Sequence, residues 1–233
     1  MTVDESLSNI NPKNDYIAIW FKGGTGGKFL STWLTNAKLM DTSFNMAAHG
    51  GCNDGYRELE HDFERPTLFA KHIEYVRTVR PKVETISPYF YTTGCWYPNS
   101  LADEVNKLIF IRYDLSDIDL IFQFYLSKNK GSVQTISDSE LIHIYQAIKR
   151  MYVRVISKNT FPSNVFPIEF KDLVFSPPES LIHNLSEITG LKAENFNKEI
   201  LTEWRERSLQ GARNAESSLS DFYDRNPNIR DLT

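Results

Sequence analysis

The sequence predicts an α/β fold built on a mainly parallel sheet with helices covering both faces. Three observations carry that prediction. Short apolar, β-rich runs recur at residues 16–21, 107–111 and 165–170. Segments with apolar residues at helical spacing lie between and after them. Strands that alternate with helices favour parallel pairing and burial on both faces. Finally, a glycine cluster joins the first such strand directly to the first helix.

Residues 1–14 are polar, carry Asn11-Pro12 and read as a flexible lead-in; residues 15–233 read as a single α/β domain. Tyr16-Ile17-Ala18-Ile19-Trp20-Phe21 has the continuous apolar character of a buried strand. Phe29, Leu30, Trp33 and Leu34 then share one helical face. Residues 41–66 are rich in Gly, Asn and Asp and read as loop, and Thr67–Ile73 as a short strand. Residues 81–100, full of Pro, Tyr, Thr and Gly, read as an irregular excursion. Lys107–Ile111 is the next buried strand, with Arg112 just past its end. Ser116 or Asp117 can cap a helix bearing Ile118, Ile121, Phe122 and Tyr125. A break at 131–138 precedes a longer helix through Leu141, Ile144, Tyr145, Ile148, Tyr152 and Val155. Val165–Phe170 is a strand whose first part Pro167 marks as irregular, and Lys171-Asp172-Leu173 turns the chain. Pro177-Pro178-Glu179 opens a helix carrying Leu181, Ile182, Leu185 and Ile188, which Gly190 stops. The remainder is polar, with one aromatic-basic stretch at Trp204–Arg207, and is expected to loosen into a flexible tail at about 212–233.

Composition narrows the function classes. The chain is 41% hydrophobic and 24% charged, which excludes a mainly disordered protein. Its net charge of −4 argues against nucleic acid or any other polyanion as partner, so an anion must be held by a local site. No apolar run approaches the roughly 20 residues that span a bilayer. Met1–Glu5 is acidic rather than signal-like, and Cys52 and Cys95 form neither a CxxC pair nor a disulfide framework. The expectation is a soluble, cytoplasmic protein without a membrane partner.

The glycine cluster, Lys22-Gly23-Gly24-Thr25-Gly26-Gly27-Lys28, is where the chemistry concentrates. Glycines let backbone N–H groups turn toward an anion, and the following helix adds its positive end. Lys22 and Lys28 place a cation at either mouth, and Thr25 adds a hydroxyl. The nucleoside-triphosphatase pattern GxxxxGK[ST] fails twice, because Lys22 stands at its first glycine and Phe29 at its metal-binding hydroxyl. The dinucleotide pattern GxGxxG fails at Phe29. The competing structural reading is a turn chosen for close strand-to-helix packing.

Phe21-Lys22-Gly23-Gly24-Thr25-Gly26 resembles the phosphosulfate-binding loop of sulfotransferases, Pro-[Lys/Arg]-Ser-Gly-Thr-[Thr/Ser]. It departs at the proline, at the serine and at the final hydroxyl. Phe69-Ala70-Lys71-His72-Ile73 is similar to the family's Lys-Thr-His element, with the lysine adjacent to the histidine. Leu108–Asp117 resembles the 3′-phosphate segment, with Arg112 in place, Asp114 for the proline and Leu120 where the family has a serine. Ile168–Pro177 and Leu181–Leu191 resemble its strand, Asp-Leu, proline turn and helix ending in Gly-Leu. These segments fall in the family's order.

The resemblance implies a three-layer P-loop NTPase-like fold and sulfuryl transfer from 3′-phosphoadenosine 5′-phosphosulfate to a small-molecule or glycan hydroxyl, with no metal required. His72 would be the base, Lys22 would stabilise the leaving phosphate and Lys71 would be a second cation. Gly24, Thr25 and Gly26 would hold the 5′-phosphate, Gly23 and Gly27 would complete the cofactor-binding loop, Lys28 would be a further cation there, and Arg112, with Ser116 substituting for the family's serine, would meet the 3′-phosphate. Arg205 and Arg207, beside Trp204, could close over the adenine and a phosphate. Aromatics at Tyr89–Tyr97 could wall an acceptor pocket. Two other readings fit the same residues: a kinase-like nucleotide enzyme, and a non-catalytic domain that keeps the fold.

Overall fold

The computed structural model describes residues 16–40, 89–93, 102–103, 105–128, 137–154 and 160–230. The expected lead-in, the loop at 41–66, the strand at 67–73 with Lys71 and His72, and Cys52, Cys95, Trp96 and Tyr97 lie outside them.

Four strands form one parallel sheet: β1 (Tyr16–Trp20), β2 (Tyr89–Thr93), β3 (Lys107–Arg112) and β4 (Val165–Glu169). Their spatial order is β2-β1-β3-β4. In register, Ala18 faces Tyr91 on one side and Leu108 on the other, while Arg112 faces Glu169. β1 and β3 are central and buried on both faces, so side chains of both orientations, Ile17 to Trp20 and Leu108 to Ile111, are fully or almost fully enclosed. That burial is why these runs lack polar alternation.

Among the described residues, seven α-helices accompany the sheet: α1 (Gly27–Leu39), α2 (Ile118–Lys128), α3 (Asp138–Arg154), α4 (Phe170–Phe175), α5 (Pro178–Thr189), α6 (Lys198–Asn214) and α7 (Glu216–Arg225). Their termini follow local rules. A 3₁₀ turn at Leu115–Asp117 leads into α2, and the Asp117 carboxylate accepts the Asp114 amide at 2.8 Å. Ser137 and Glu140 make reciprocal contacts at the start of α3. Pro178 stands in the first turn of α5, and Gly190 ends it with φ +75°. Asn197 accepts from the amides of Glu199 and Ile200 to open α6.

Four expectations are corrected. Tyr89–Thr93, inside the expected excursion, is a strand paired to β1; its aromatic and β-branched residues suit a sheet despite the flanking proline and glycine. Pro167 sits within β4, which has a partner only on its β3 side among the described residues, where a missing N–H costs least. Lys171-Asp172-Leu173 belongs to the short helix α4 rather than to a turn. The polar tail is two packed helices: Ala212, Leu219, Phe222 and Ile229 are buried, and α6 lies across α2. Sparse apolar residues sufficed there because they are buried or partly buried against the core. An Asp119 centred cluster also holds this segment. The Asp119 carboxylate accepts the hydroxyls of Tyr223 and Tyr145, and Arg230 at 3.1 Å. The Arg230 guanidinium lies 3.8 Å from the Tyr223 ring centre.

Candidate functional site at the carboxyl end of the sheet

In the order β2-β1-β3-β4, the chain after β1 next joins the sheet on one side and the chain after β3 on the other. The carboxyl ends of β1 and β3 therefore flank a point where the connections diverge, the usual place for a ligand crevice in an open α/β sheet. The glycine loop leaves β1 there, and Arg112 to Asp117 leave β3 there.

The loop is a tight turn. The Lys22 carbonyl accepts the Thr25 amide at 3.0 Å and the Thr25 hydroxyl at 2.7 Å, so that hydroxyl is turned inward and buried. Gly24 and Gly26 take φ +95° and +85°, where L side chains are strained. Packing constrains the loop as well. A Cβ on Gly24 would stand 2.5 Å from the Ile121 carbonyl oxygen, and one on Gly26 would stand 2.8 Å from the Trp204 ring. A Cβ on Gly27 would run into the Phe21 ring. Gly23 differs: it is exposed, and a Cβ there would come no nearer than 4.0 Å to the Tyr125 ring.

No side chain caps α1, and its first turn carries no acidic residue. The amides of Gly23, Gly24, Gly26, Gly27, Lys28 and Phe29 find no acceptor among the described residues. Lys28 is exposed and Lys22 is half-buried at the loop mouth. Unpaired amides, a positive helix end and two lysines give the loop the physical equipment to hold an oxyanion.

Arg112, Ser116, Arg205 and Arg207 are held by contacts within the fold. Arg112 is half-exposed and bonded to Glu169, its cross-strand neighbour, through Nε at 2.6 Å and a second contact from the guanidinium tip. The Glu169 carboxylate raises the Arg112 pKa above its ordinary value against a smaller opposing effect of burial. Asp114 and Asp117, the acidic residues nearest Arg112 in sequence, meet Lys171 instead, whose amine lies 3.1 Å from Asp114, 3.2 Å from the Ser116 hydroxyl and 3.5 Å from Asp117. Hydrogen bonding to Asp114 is the main cause of the raised Lys171 pKa.

Arg205 is committed to the backbone. It donates to the carbonyls of Leu173 at 2.8 Å, Ser176 at 2.6 Å and Asp172 at 2.9 Å, which closes the end of α4. Burial lowers its pKa from the ordinary arginine value. Trp204 stacks on Phe29 with centroids 4.3 Å apart and meets Phe124 edge-on. Arg207 is exposed and pairs along α6 with Glu203 at 3.7 Å. The structure thus brings Lys22, the glycines, Lys28, Arg112 and Ser116 to one end of the sheet, and gives Arg205 a structural task. Sequence reasoning overlooked Lys171 and Glu169, which reach this end only through β3–β4 pairing.

Among the described residues no three or more His, Cys, Asp and Glu side chains gather as a metal site would require. No described helix is long and apolar enough to cross a membrane. Compared with protein-family models, curated proteins and solved structures, the chain matches none.

Proposed function

We propose that this protein is a cytoplasmic sulfotransferase on a P-loop NTPase-like fold, with residues 22–28 as the donor site. It moves the sulfuryl group of 3′-phosphoadenosine 5′-phosphosulfate to a hydroxyl acceptor. The observation that supports the reading is the set of amides of Gly23, Gly24, Gly26, Gly27, Lys28 and Phe29 without an acceptor among the described residues, with Lys22 and Lys28 beside them where the sheet connections diverge. In this reading the amides hold the 5′-phosphate and Lys22 meets charge building on the leaving oxygen. A bond forms between the acceptor oxygen and sulfur while the bond from sulfur to the phosphate oxygen breaks. His72 takes the acceptor proton, with Lys71 beside it in sequence. A 3′-phosphate would compete with Glu169 for Arg112 and with Lys171 for Ser116.

A second reading has its own observation. Gly24, Gly26 and Gly27 are each demanded by close neighbours, so packing alone explains three of the four glycines. That favours a non-catalytic domain that retains the fold.

Thermal unfolding with added ligands separates them. A specific ligand at 100 times its Kd adds about 2.7 kcal/mol. In a domain of this size that raises Tm by roughly 5–10 °C. The proposal expects this shift with adenosine 3′,5′-bisphosphate in the absence of Mg²⁺, its loss in Lys22→Ala, and loss of transfer without loss of the shift in His72→Ala. A shift seen only with ATP and Mg²⁺ would indicate the kinase-like enzyme, and no shift with either at millimolar concentration would leave the non-catalytic domain.

A further inference from the structure

Beside the exposed lip of the glycine loop lies a cavity of about 280 Å³ lined by Tyr125, Ser139, Glu140, His143 and Ile144. Tyr125 links it to the loop, because a Cβ placed on Gly23 would stand 4.0 Å from its ring. We propose that this groove, between α2 and the start of α3, is the acceptor subsite and takes a small aromatic hydroxyl compound. The assignment rests on the loop at 22–28 being the donor site.

The chemistry of the lining is divided. The Tyr125 ring and Ile144 supply apolar surface for a ring to lie against. The rest of the lining is polar and partly set in advance. The Glu140 carboxylate is held by the Ser137 amide and hydroxyl, each at 2.8 Å, and Ser137 and Ser139 share a hydrogen bond at 3.0 Å. His143 is exposed and makes no hydrogen bond or ion pair among the described residues, so its imidazole is available to accept a hydroxyl proton in a hydrogen bond. At about 280 Å³ the groove falls just under the range of drug-sized sites, which fits a one-ring ligand. A carboxylate in the lining disfavours an anionic acceptor and favours a neutral hydroxyl compound.

The test is a titration of the full chain with 4-nitrophenol, below the pH at which that phenol ionises, followed by the imidazole resonances in ¹⁵N NMR. The expected result is a saturable shift of the His143 signals at millimolar ligand without nucleotide. His143→Ala should weaken binding by about five- to tenfold, the worth of one hydrogen bond. Ser139→Trp, at an exposed position, should fill the groove and abolish the shift. A non-saturating shift, or equal binding by both variants and the unaltered chain, overturns the inference. If adenosine 3′,5′-bisphosphate stabilises the protein while the phenol leaves His143 unmoved, the acceptor assignment alone falls. If the phenol binds and the bisphosphate does not, the donor reading falls and takes the acceptor role with it.

Discussion

Replacing Gly24 by alanine should destabilise the protein by about 3 kcal/mol. Two causes add. Gly24 has φ +95°, a conformation that costs an L residue about 1–2 kcal/mol. The new Cβ would also stand 2.5 Å from the Ile121 carbonyl oxygen and 2.9 Å from its Cγ2. The carbonyl belongs to the α2 backbone and cannot swing aside as a side-chain tip would. Either loop or helix must shift, at an overpacking cost of about 1–3 kcal/mol. Gly23→Ala is the internal control. Its Cβ meets nothing nearer than 4.0 Å and its φ is not positive, so it should be neutral or stabilising by up to about 1 kcal/mol. Urea unfolding followed by far-UV circular dichroism measures both. In a thermal scan, 3 kcal/mol corresponds to a Tm lower by roughly 6–12 °C. The reasoning is refuted if Gly24→Ala stays within about 0.5 kcal/mol of the parent, a typical neutral surface change. It is equally refuted if Gly23→Ala falls as far.

Three further outcomes are expected. Arg205→Ala should lower stability by about 2–4 kcal/mol, because it strips three carbonyls at the end of α4 of their donor; adenosine 3′,5′-bisphosphate affinity, read by calorimetry, should change less than twofold. Asp119→Ala should remove the acceptor that Tyr145, Tyr223 and Arg230 share, and limited proteolysis should then cut the segment from α7 onward sooner than in the parent. Alkaline stability carries a signed prediction. Burial raises the pKa of Tyr113 above its ordinary value of 10.0, so its contribution is complete below pH 10 and declines as the pH rises above it, where the unfolded chain ionises first. The loss per such tyrosine steepens toward about 1.4 kcal/mol per pH unit and amounts to about 1 kcal/mol between about pH 10 and 11, and Tyr113→Phe should remove that loss from urea unfolding measured over this range.

The parts of the fold legible in the sequence are those written in local pattern. Ile17 to Trp20 and Leu108 to Ile111 announce central strands because both of their faces are buried. Leu181, Ile182, Leu185 and Ile188 repeat at helical spacing between a proline start and a glycine stop, and α5 has those limits. β2 was hidden because its five residues sit among turn-forming neighbours and its pairing to β1 is set by contact across the sheet. α6 and α7 were hidden because their buried positions are few and a mean-hydropathy reading dilutes them.

For the candidate site, the inventory is legible in the chain: four glycines between Lys22 and Lys28 after an apolar strand, and Arg112 at the end of another. That much is local, since adjacency in the chain places a glycine loop between a strand and a helix. Which groups Arg112, Lys171 and Arg205 engage emerges with the folded chain. Glu169 lies 57 residues from Arg112 and faces it solely because β3 and β4 pair in that register. Arg205 is spent on α4 carbonyls because α6 packs there, and Lys171 bridges to Asp114 and Ser116 because β4 ends beside β3. Charge pairing is a matter of distance in space, and sequence separation carries almost no information about it.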